Sequence, residues 1–314
     1  MLKLWKLLIY LLLKFLRNFI ARKSQLSISN NVVAHIQKMK ILTKKNLIER
    51  WQTDEGKNLL KDIIQHLRKV KTLKGINGLE KFEGKFDLRG VSFPKTYSEY
   101  QYKGKLITQV TGSLSFKNVN IDNVDFTYAD LQHTKWKNCA FSNTKFSKTQ
   151  LEQIYIINCS FENILFNNSR LSYSYLNIRS GKKSGHFKNV RFEKSQLNET
   201  KFSFPKFDNC LFDNCNLFAA NFDGSRFKDC KFIGKVNSPW FKKHSNMEYE
   251  PNLIFNRINK KQFMNEMINI DFSEANLEYV SFDKNLDLSK CNFAPNVKFE
   301  KLKTIETELY AMSE

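Results

Sequence analysis

Six cysteines, five histidines and a run of aspartates and asparagines at five-residue multiples are the side chains of this 314-residue sequence that could do chemistry. Cys139, Cys159, Cys210, Cys215, Cys230 and Cys291 could pair as disulfides or bind zinc as thiolates. His35, His66, His133, His186 and His244 could supply imidazole ligands or a general base. Asp125, Asp130, Asn216, Asn221 and Asn276 look at first like a carboxylate series. The spacing supports none of these chemistries. Zinc needs four convergent ligands, and neither a CxxC pair nor a paired histidine occurs. There is no nucleophile elbow, P-loop or glycine-rich phosphate cradle. The chain therefore reads as non-enzymatic, with no catalytic residue, cofactor or metal site.

What positions these residues is a repeat. In NVDFTYADLQHTKWKNCAFSNTKF (123–146) a large apolar residue returns every five positions, a period of neither a helix nor a strand. Thirteen such centres run without a miss from Phe116 to Leu176. After NIRSGKKSG ten more run from Phe187 to Phe232, and a shorter series follows at Phe272, Leu277 and Phe282, then Leu288 and Phe293. An earlier pair, Leu88 and Phe93, precedes an interruption at 94–113. Two residues before the centre the side chain is small from Val119 to Thr149 and from Cys210 to Cys230, and all six cysteines occupy this slot, as buried small hydrophobes. Two residues after it Asn recurs (Asn118, Asn123, Asn138, Asn143, Asn158, Asn163, Asn168), suited to a left-handed turn. Asn118, Asn138 and Asn158 also stand twenty apart, as do Leu131, Leu151 and Leu171. Units of five grouped in fours predict a four-sided coil in which like residues stack, about 4.8 Å per turn.

The units ADLQH (129–133), CNLFA (215–219), ANFDG (220–224) and ANLEY (275–279) resemble the pentapeptide-repeat family. The resemblance is dense over 114–234 and looser over 86–93 and 270–294. It implies a right-handed quadrilateral β-helix, an all-β solenoid, and with it the possibility of a homodimer through an end cap. Some members of that family resemble duplex DNA, bind DNA gyrase and protect it from inhibitors. Such mimicry needs an acidic face, whereas residues 116–234 hold 17 Lys/Arg against 11 Asp/Glu.

The formal charge of +20 belongs mainly to the start of the chain: residues 1–75 carry 17 Lys/Arg and four acids. The first 23 residues, MLKLWKLLIYLLLKFLRNFIARK, predict a cationic amphipathic helix over 1–24. On a helical wheel Lys3, Lys6, Lys14 and Arg17 fall in a stripe of about 80°, and the remaining face is apolar, with Trp5, Phe15 and Phe19. Its longest charge-free run, Leu7–Leu13, is too short to span a bilayer. The helix is expected to lie on an anionic membrane surface, with Arg22 and Lys23 completing the basic contact. No cleavable signal follows Leu13, and the unpaired cysteines suit a reducing compartment, so the expected location is the cytoplasmic face of the cell membrane. The basic segment interleaves Lys with Leu rather than with stacking aromatics, which argues against nucleic acid as its partner.

Residues 25–80 predict a helical cap: Asp54 and Glu55 follow Thr53, and Leu59, Leu60, Ile63, Ile64, Leu67 and Val70 form one face. RWQTDEG before it and FDLRG after it resemble the leader of some pentapeptide-repeat proteins. The solenoid itself is expected over 81–299, interrupted at 235–269 by a loop and a helix through Asn259–Ile268, with a C-terminal cap at 300–314. Trp240, Phe241, Lys242 and Lys243 in the interruption are the candidate contacts to a protein partner. The expected function is that of a membrane-peripheral scaffold presenting a rigid solenoid to that partner.

Overall fold

The computed structural model describes residues 43–181, 183–244, 265–300 and 308–313. Residues 44–314 form one compact unit. Each five-residue unit is a three-residue strand plus a corner, as in Lys135–Lys137, Ala140–Ser142 and Lys145–Ser147. The central residue points inward because strand side chains alternate. The corner turns through a left-handed residue: every fifth position from Asn118 to Asn168 has φ between 50° and 63°. Asn adopts this conformation most readily, yet Tyr128, His133, Lys148, Gln153 and Tyr173 are held there too. Asn amides at one corner also hydrogen-bond up the stack, Asn163 Nδ2 to Asn143 Oδ1 (3.2 Å), Asn189 to Asn163 (3.0 Å) and Asn209 to Asn189 (2.9 Å).

Four columns of centres define four sides. Side 1 stacks Phe116, Trp136, Ile156, Leu176, Phe202, Phe222, Phe241 and Phe282, and side 2 stacks Ile121, Phe141, Phe161, Phe187, Phe207, Phe227 and Met267. Side 3 runs from Leu88 through Phe126, Phe146, Phe166, Phe192, Phe212, Phe232 and Phe272 to Phe293. Side 4 holds Phe93 and the leucines 131, 151, 171, 197 and 217, its strands joined by parallel bridges from Ser92 to Asn216. Pairing within the coil is parallel. The phenyl rings stack in register, with centroids 4.7 Å apart for Phe141 and Phe161 and 4.6 Å for Phe212 and Phe232. Burial of each ring contributes roughly 2–3 kcal/mol and stacking about 1 kcal/mol more.

Insertions leave the coil at corners without breaking the columns. Phe161 pairs Phe187 across 26 residues, and the extra segment is tied inward where Asn177 Oδ1 accepts from the Cys159 N–H (2.8 Å). The interruption at 94–113 is an antiparallel hairpin, Lys95–Tyr102 with Lys105–Ser113, paired only with itself. The expected interruption at 235–269 is narrower than predicted. Strand Lys231–Asn237 pairs onward to Leu277 and Glu278, Trp240–Phe241 continues side 1, and Glu266–Ile268 is a strand of side 2 where the end of a helix was expected, the rest of that helix (259–264) lying outside the described residues. The spacing hid this because Phe222 and Phe241 are nineteen residues apart and Phe227 stacks next on Met267.

The first coil is closed by two helices, α1 (Lys44–Glu49) and α2 (Asp54–Lys69). Thr53 caps α2, its Oγ1 accepting from the Gly56 N–H at 3.1 Å. Gly56 is obligatory, since a Cβ there would sit 2.1 Å from the Arg50 carbonyl. Ile63, Ile64 and Leu67 bury the face expected of the cap. Cap and coil are locked by Asp87, which accepts from Arg50 (2.8 and 2.7 Å) and from Arg89 Nε and Nη2 (both 2.9 Å). Trp51 Nε1 and Arg50 Nη2 both donate to the Arg89 carbonyl at 2.8 Å. The far end is closed by Glu308–Ser313, antiparallel to both Val280–Asp283 and Val297–Glu300. Among the described residues no helix is long and apolar enough to cross a membrane.

Burial alone would raise the Asp87 pKa, but hydrogen bonds and charge from Arg89 and Arg50 hold it well below the usual carboxylate range. A carboxyl whose folded pKa is depressed stabilises the fold above its unfolded pKa of about 4, and that contribution fades as pH falls below this. Asp87→Asn leaves the buried Arg89 and the half-buried Arg50 guanidiniums without their counterion and is expected to destabilise the protein by about 3 kcal/mol at neutral pH. Urea unfolding at pH 7 and pH 3 checks both points: the gap between wild type and Asp87→Asn shrinks at the lower pH.

Candidate interaction edge

The side chains that could have done chemistry are absorbed by the coil. Cys139, Cys159, Cys210, Cys215 and Cys230 are buried free thiols, and Cys291 is half-buried. Each of the first five donates to a backbone carbonyl one coil back: Cys159 to Trp136, Cys210 to Phe187 and Cys230 to Phe207, all at 3.4 Å. Thr149, Ser169 and Ser174 make the same bond from the same slot, to Phe126 (2.8 Å), Phe146 (2.7 Å) and Leu151 (3.0 Å). In these units the slot holds a small side chain with one donor, and in others an apolar one, as at Val119, Ala129, Ile154 and Ile164. Burial pushes the Cys159 and Cys210 thiols well up, and those of Cys215 and Cys291 to about 12.

The histidines are scattered. His133 occupies a corner, His186 Nε2 meets Asp208 at 2.6 Å on side 2, and His66 Nε2 lies 2.9 Å from the Lys74 carbonyl. Among the described residues no three His, Cys, Asp or Glu side chains gather as a metal site. The aspartates of the repeat bind turns: Asp130 Oδ1 accepts from the Gln132 N–H (3.1 Å) and Asp125 Oδ1 from the Thr127 N–H (2.8 Å).

Of the expected partner contacts, Trp240 is 38% exposed and Lys242 is exposed, while Lys243 is half-buried and donates to the Asn285 carbonyl at 3.1 Å. Phe241 is a correction. It is a core centre with no exposed surface, stacked between Phe222 (5.1 Å) and Phe282 (5.2 Å). The membrane-facing candidates Lys3, Trp5, Lys6, Lys14, Phe15, Arg17, Phe19, Arg22 and Lys23 lie outside the described residues.

Trp240 belongs to a larger feature. Tyr155, Tyr175 and Trp240 occupy the outward position just before the side 1 centres. Tyr173 and Tyr279 sit at the corner between sides 4 and 1, 52% and 62% exposed, and Phe218 lies just before that corner. The hairpin leaves the coil at the same corner, between Phe93 and Phe116, with Ser113 Oγ bonded to the His133 carbonyl (2.7 Å) and Tyr97, Tyr100 and Tyr102 exposed. Among the described residues only two further aromatics, Phe82 and Phe299, are as exposed, and both lie elsewhere. Between Tyr173 and Tyr175 on one side and Trp240 on the other is a notch of about 480 Å³, lined across the two intervening rungs by Glu199, Lys201, Ala219 and Asn221. Reading the outward positions of the repeat, as well as its inward ones, would have revealed this edge.

Residues 125–163 and 187–232 match the sequence profile of pentapeptide repeats in eight copies. No curated protein matches the chain. Similar solved structures include QnrB1, a plasmid-mediated fluoroquinolone resistance protein, at 11% identity over 67% of this chain and 78% of that one, with a TM-score of 0.36. HetL from the cyanobacterium Nostoc sp. strain PCC 7120, a pentapeptide repeat protein involved in heterocyst differentiation regulation, is 12% identical over 58% and 90%, TM-score 0.25. Rfr23 from the cyanobacterium Cyanothece 51142 is 16% identical over 51% and 93%, TM-score 0.24.

The cysteine geometry predicts that an aromatic disulfide reagent titrates at most Cys291 in the native protein, and all six thiols in guanidinium. Cys159→Ser keeps the donor and is expected to change stability by less than about 1.5 kcal/mol, whereas Cys159→Asp, a buried charge, is expected to prevent folding.

Proposed function

Because this chain is a pentapeptide-repeat protein, we propose that it is a non-enzymatic, membrane-peripheral scaffold whose coil holds the edge between sides 4 and 1 toward a protein partner. The gathering of exposed aromatics on that one edge carries the reading. Buried aromatics fill the coil for stability, but an exposed one gains little for the fold, and exposed aromatics gathered along one edge mark a contact surface. The rigid stack supports this role, because a partner binding across several coils orders few side chains and no backbone. Attachment to the membrane rests on the amphipathic pattern of residues 2–23 and on the basic surplus of residues 1–75.

Two experiments test the two halves of the proposal. Tyr173→Ala combined with Trp240→Ala removes exposed rings and is expected to shift stability by less than about 1 kcal/mol. It should nevertheless cut recovery of the co-purifying partner by about tenfold, as truncated hot-spot aromatics do. Undiminished recovery would refute the edge. In vesicle co-sedimentation, full-length protein is expected to pellet with anionic vesicles in a salt-sensitive manner, and a variant lacking residues 2–23 to stay in the supernatant. Equal pelleting would refute the anchor.

A further inference from the structure

Resting on that reading, we infer the chemistry of the partner: the edge takes an acidic, extended polypeptide segment that runs along the coil axis and sinks one apolar side chain into the notch beside Trp240.

Charge is the first argument. The strand positions flanking the side 1 centres carry Lys117, Lys135, Lys137, Lys201 and Lys242. The acids at equivalent positions are Asp223, which is buried, and Asp283 near the far end. The other three sides mix the two signs: Lys188 pairs Glu162 on side 2, Arg191 pairs Glu193 on side 3, and Lys235 pairs Glu278 on side 4. By composition side 1 is thus the most cationic face, five lysines against two acids, and an anionic partner complements it.

Ring orientation then selects among anionic partners. Lys135, Tyr155, Tyr175, Lys201, Asn221 and Trp240 form one registered row of successive rungs. Tyr155 and Tyr175 stack face to face at 4.9 Å and 14°, and Lys201 Nζ stands over the Tyr175 ring at 5.3 Å. Tyr175 is covered on one face by Tyr155 and on the other by Lys201, so what it offers outward is its hydroxyl-bearing rim. A nucleic acid base needs an open ring face to stack upon. A hydroxyl rim set among ammonium groups instead suits carboxylates, which accept from both. The row from Lys135 to Trp240 spans five rungs, or roughly 24 Å, which an extended peptide covers in about seven residues.

The notch supplies the third argument. Tyr173, Tyr175 and Trp240 bound it with aromatic side chains and Ala219 takes up little of its space, so its 480 Å³ accommodates one bulky apolar side chain. Lys201 in the lining is placed to meet a carboxylate next to that anchor, while Glu199 disfavours one on the corner side.

The test uses full-length protein and a fluorescent nonapeptide of eight glutamates around a central phenylalanine, read by anisotropy. Decathymidine DNA and the corresponding lysine peptide serve as comparisons. Lys117→Glu with Lys201→Glu, both exposed on side 1, is expected to weaken glutamate-peptide binding by about tenfold or more, equivalent to about 1.4 kcal/mol. Lys206→Glu with Lys228→Glu, on side 2, is expected to change it by less than about twofold, the size of a remote surface charge effect. The tenfold difference should persist when residues 2–23 are deleted, which removes the other cationic segment. Thermal unfolding of both charge variants controls for folding, and Lys117→Met with Lys201→Met replaces the first should it unfold. Equal loss in both pairs, absence of glutamate-peptide binding, or tighter binding of decathymidine through Lys117 and Lys201 would overturn the inference, the last in favour of nucleic acid. If the peptide fails while Tyr173→Ala with Trp240→Ala still releases the partner, the interaction edge stands and only its acidic specificity falls. If that variant keeps its partner, the edge itself falls.

Discussion

Parallel main-chain hydrogen bonding between coils is the constraint from which every side chain in this protein takes its station. With neighbouring rungs fixed about 4.8 Å apart, a residue must lie directly over its equivalent one turn earlier. Phenyl rings are then obliged to stack, as Phe187 does between Phe161 (5.0 Å) and Phe207 (4.8 Å). The corner must turn at one position only, so residues as unlike as Asn138, Lys148 and Tyr173 share a left-handed backbone. The inward slot before each centre faces a carbonyl of the coil before, so the thiols and hydroxyls that occur there share one hydrogen-bonding pattern.

The same constraint decides how much could be read from the chain alone. Phe116 to Leu176 and Phe187 to Phe232 announce themselves because a fixed spacing is preserved in the sequence itself. The thiol slot and the left-handed asparagines follow from that spacing, while the cap was legible on separate grounds, from Thr53 ahead of Asp54 and Glu55 and from the face of Ile63, Ile64 and Leu67. Phe241 was not legible. Its column is shortened by one residue, and only the pairing of Trp240 with Asn221 and Ser281 shows that it continues side 1. Met267 escaped for a chemical reason, since a thioether takes a phenyl ring's place. The aromatic edge was missed because Tyr155, Tyr173 and Phe218 lie in outward positions, which fold arguments treat as free.

The two caps solve one problem with different means. A coil of parallel strands ends in unpaired main-chain groups at both extremities. At the start, helix α2 covers the core and the Arg50–Asp87–Arg89 cluster ties it down, with a half-buried cation from the cap and a buried one from the coil on the same carboxylate. At the finish, Glu308–Ser313 reverses direction and pairs antiparallel, which ends the propagation of the parallel pattern. The repeats between them contribute rigidity and leave the outward positions open to variation.

Insertions that leave at corners while the columns hold have a further implication. Phe161 and Phe187 remain neighbours although six more residues than usual separate them, and Phe232 meets Phe272 across a 40-residue gap. Distance along the edge is thereby counted in whole rungs, independent of chain length. Adding or removing one complete coil would move Trp240 relative to the hairpin by a single fixed increment and leave every packing contact type unchanged. The molecule is in this sense graduated like a vernier, and the separation between two contacts on a partner can be matched only in steps.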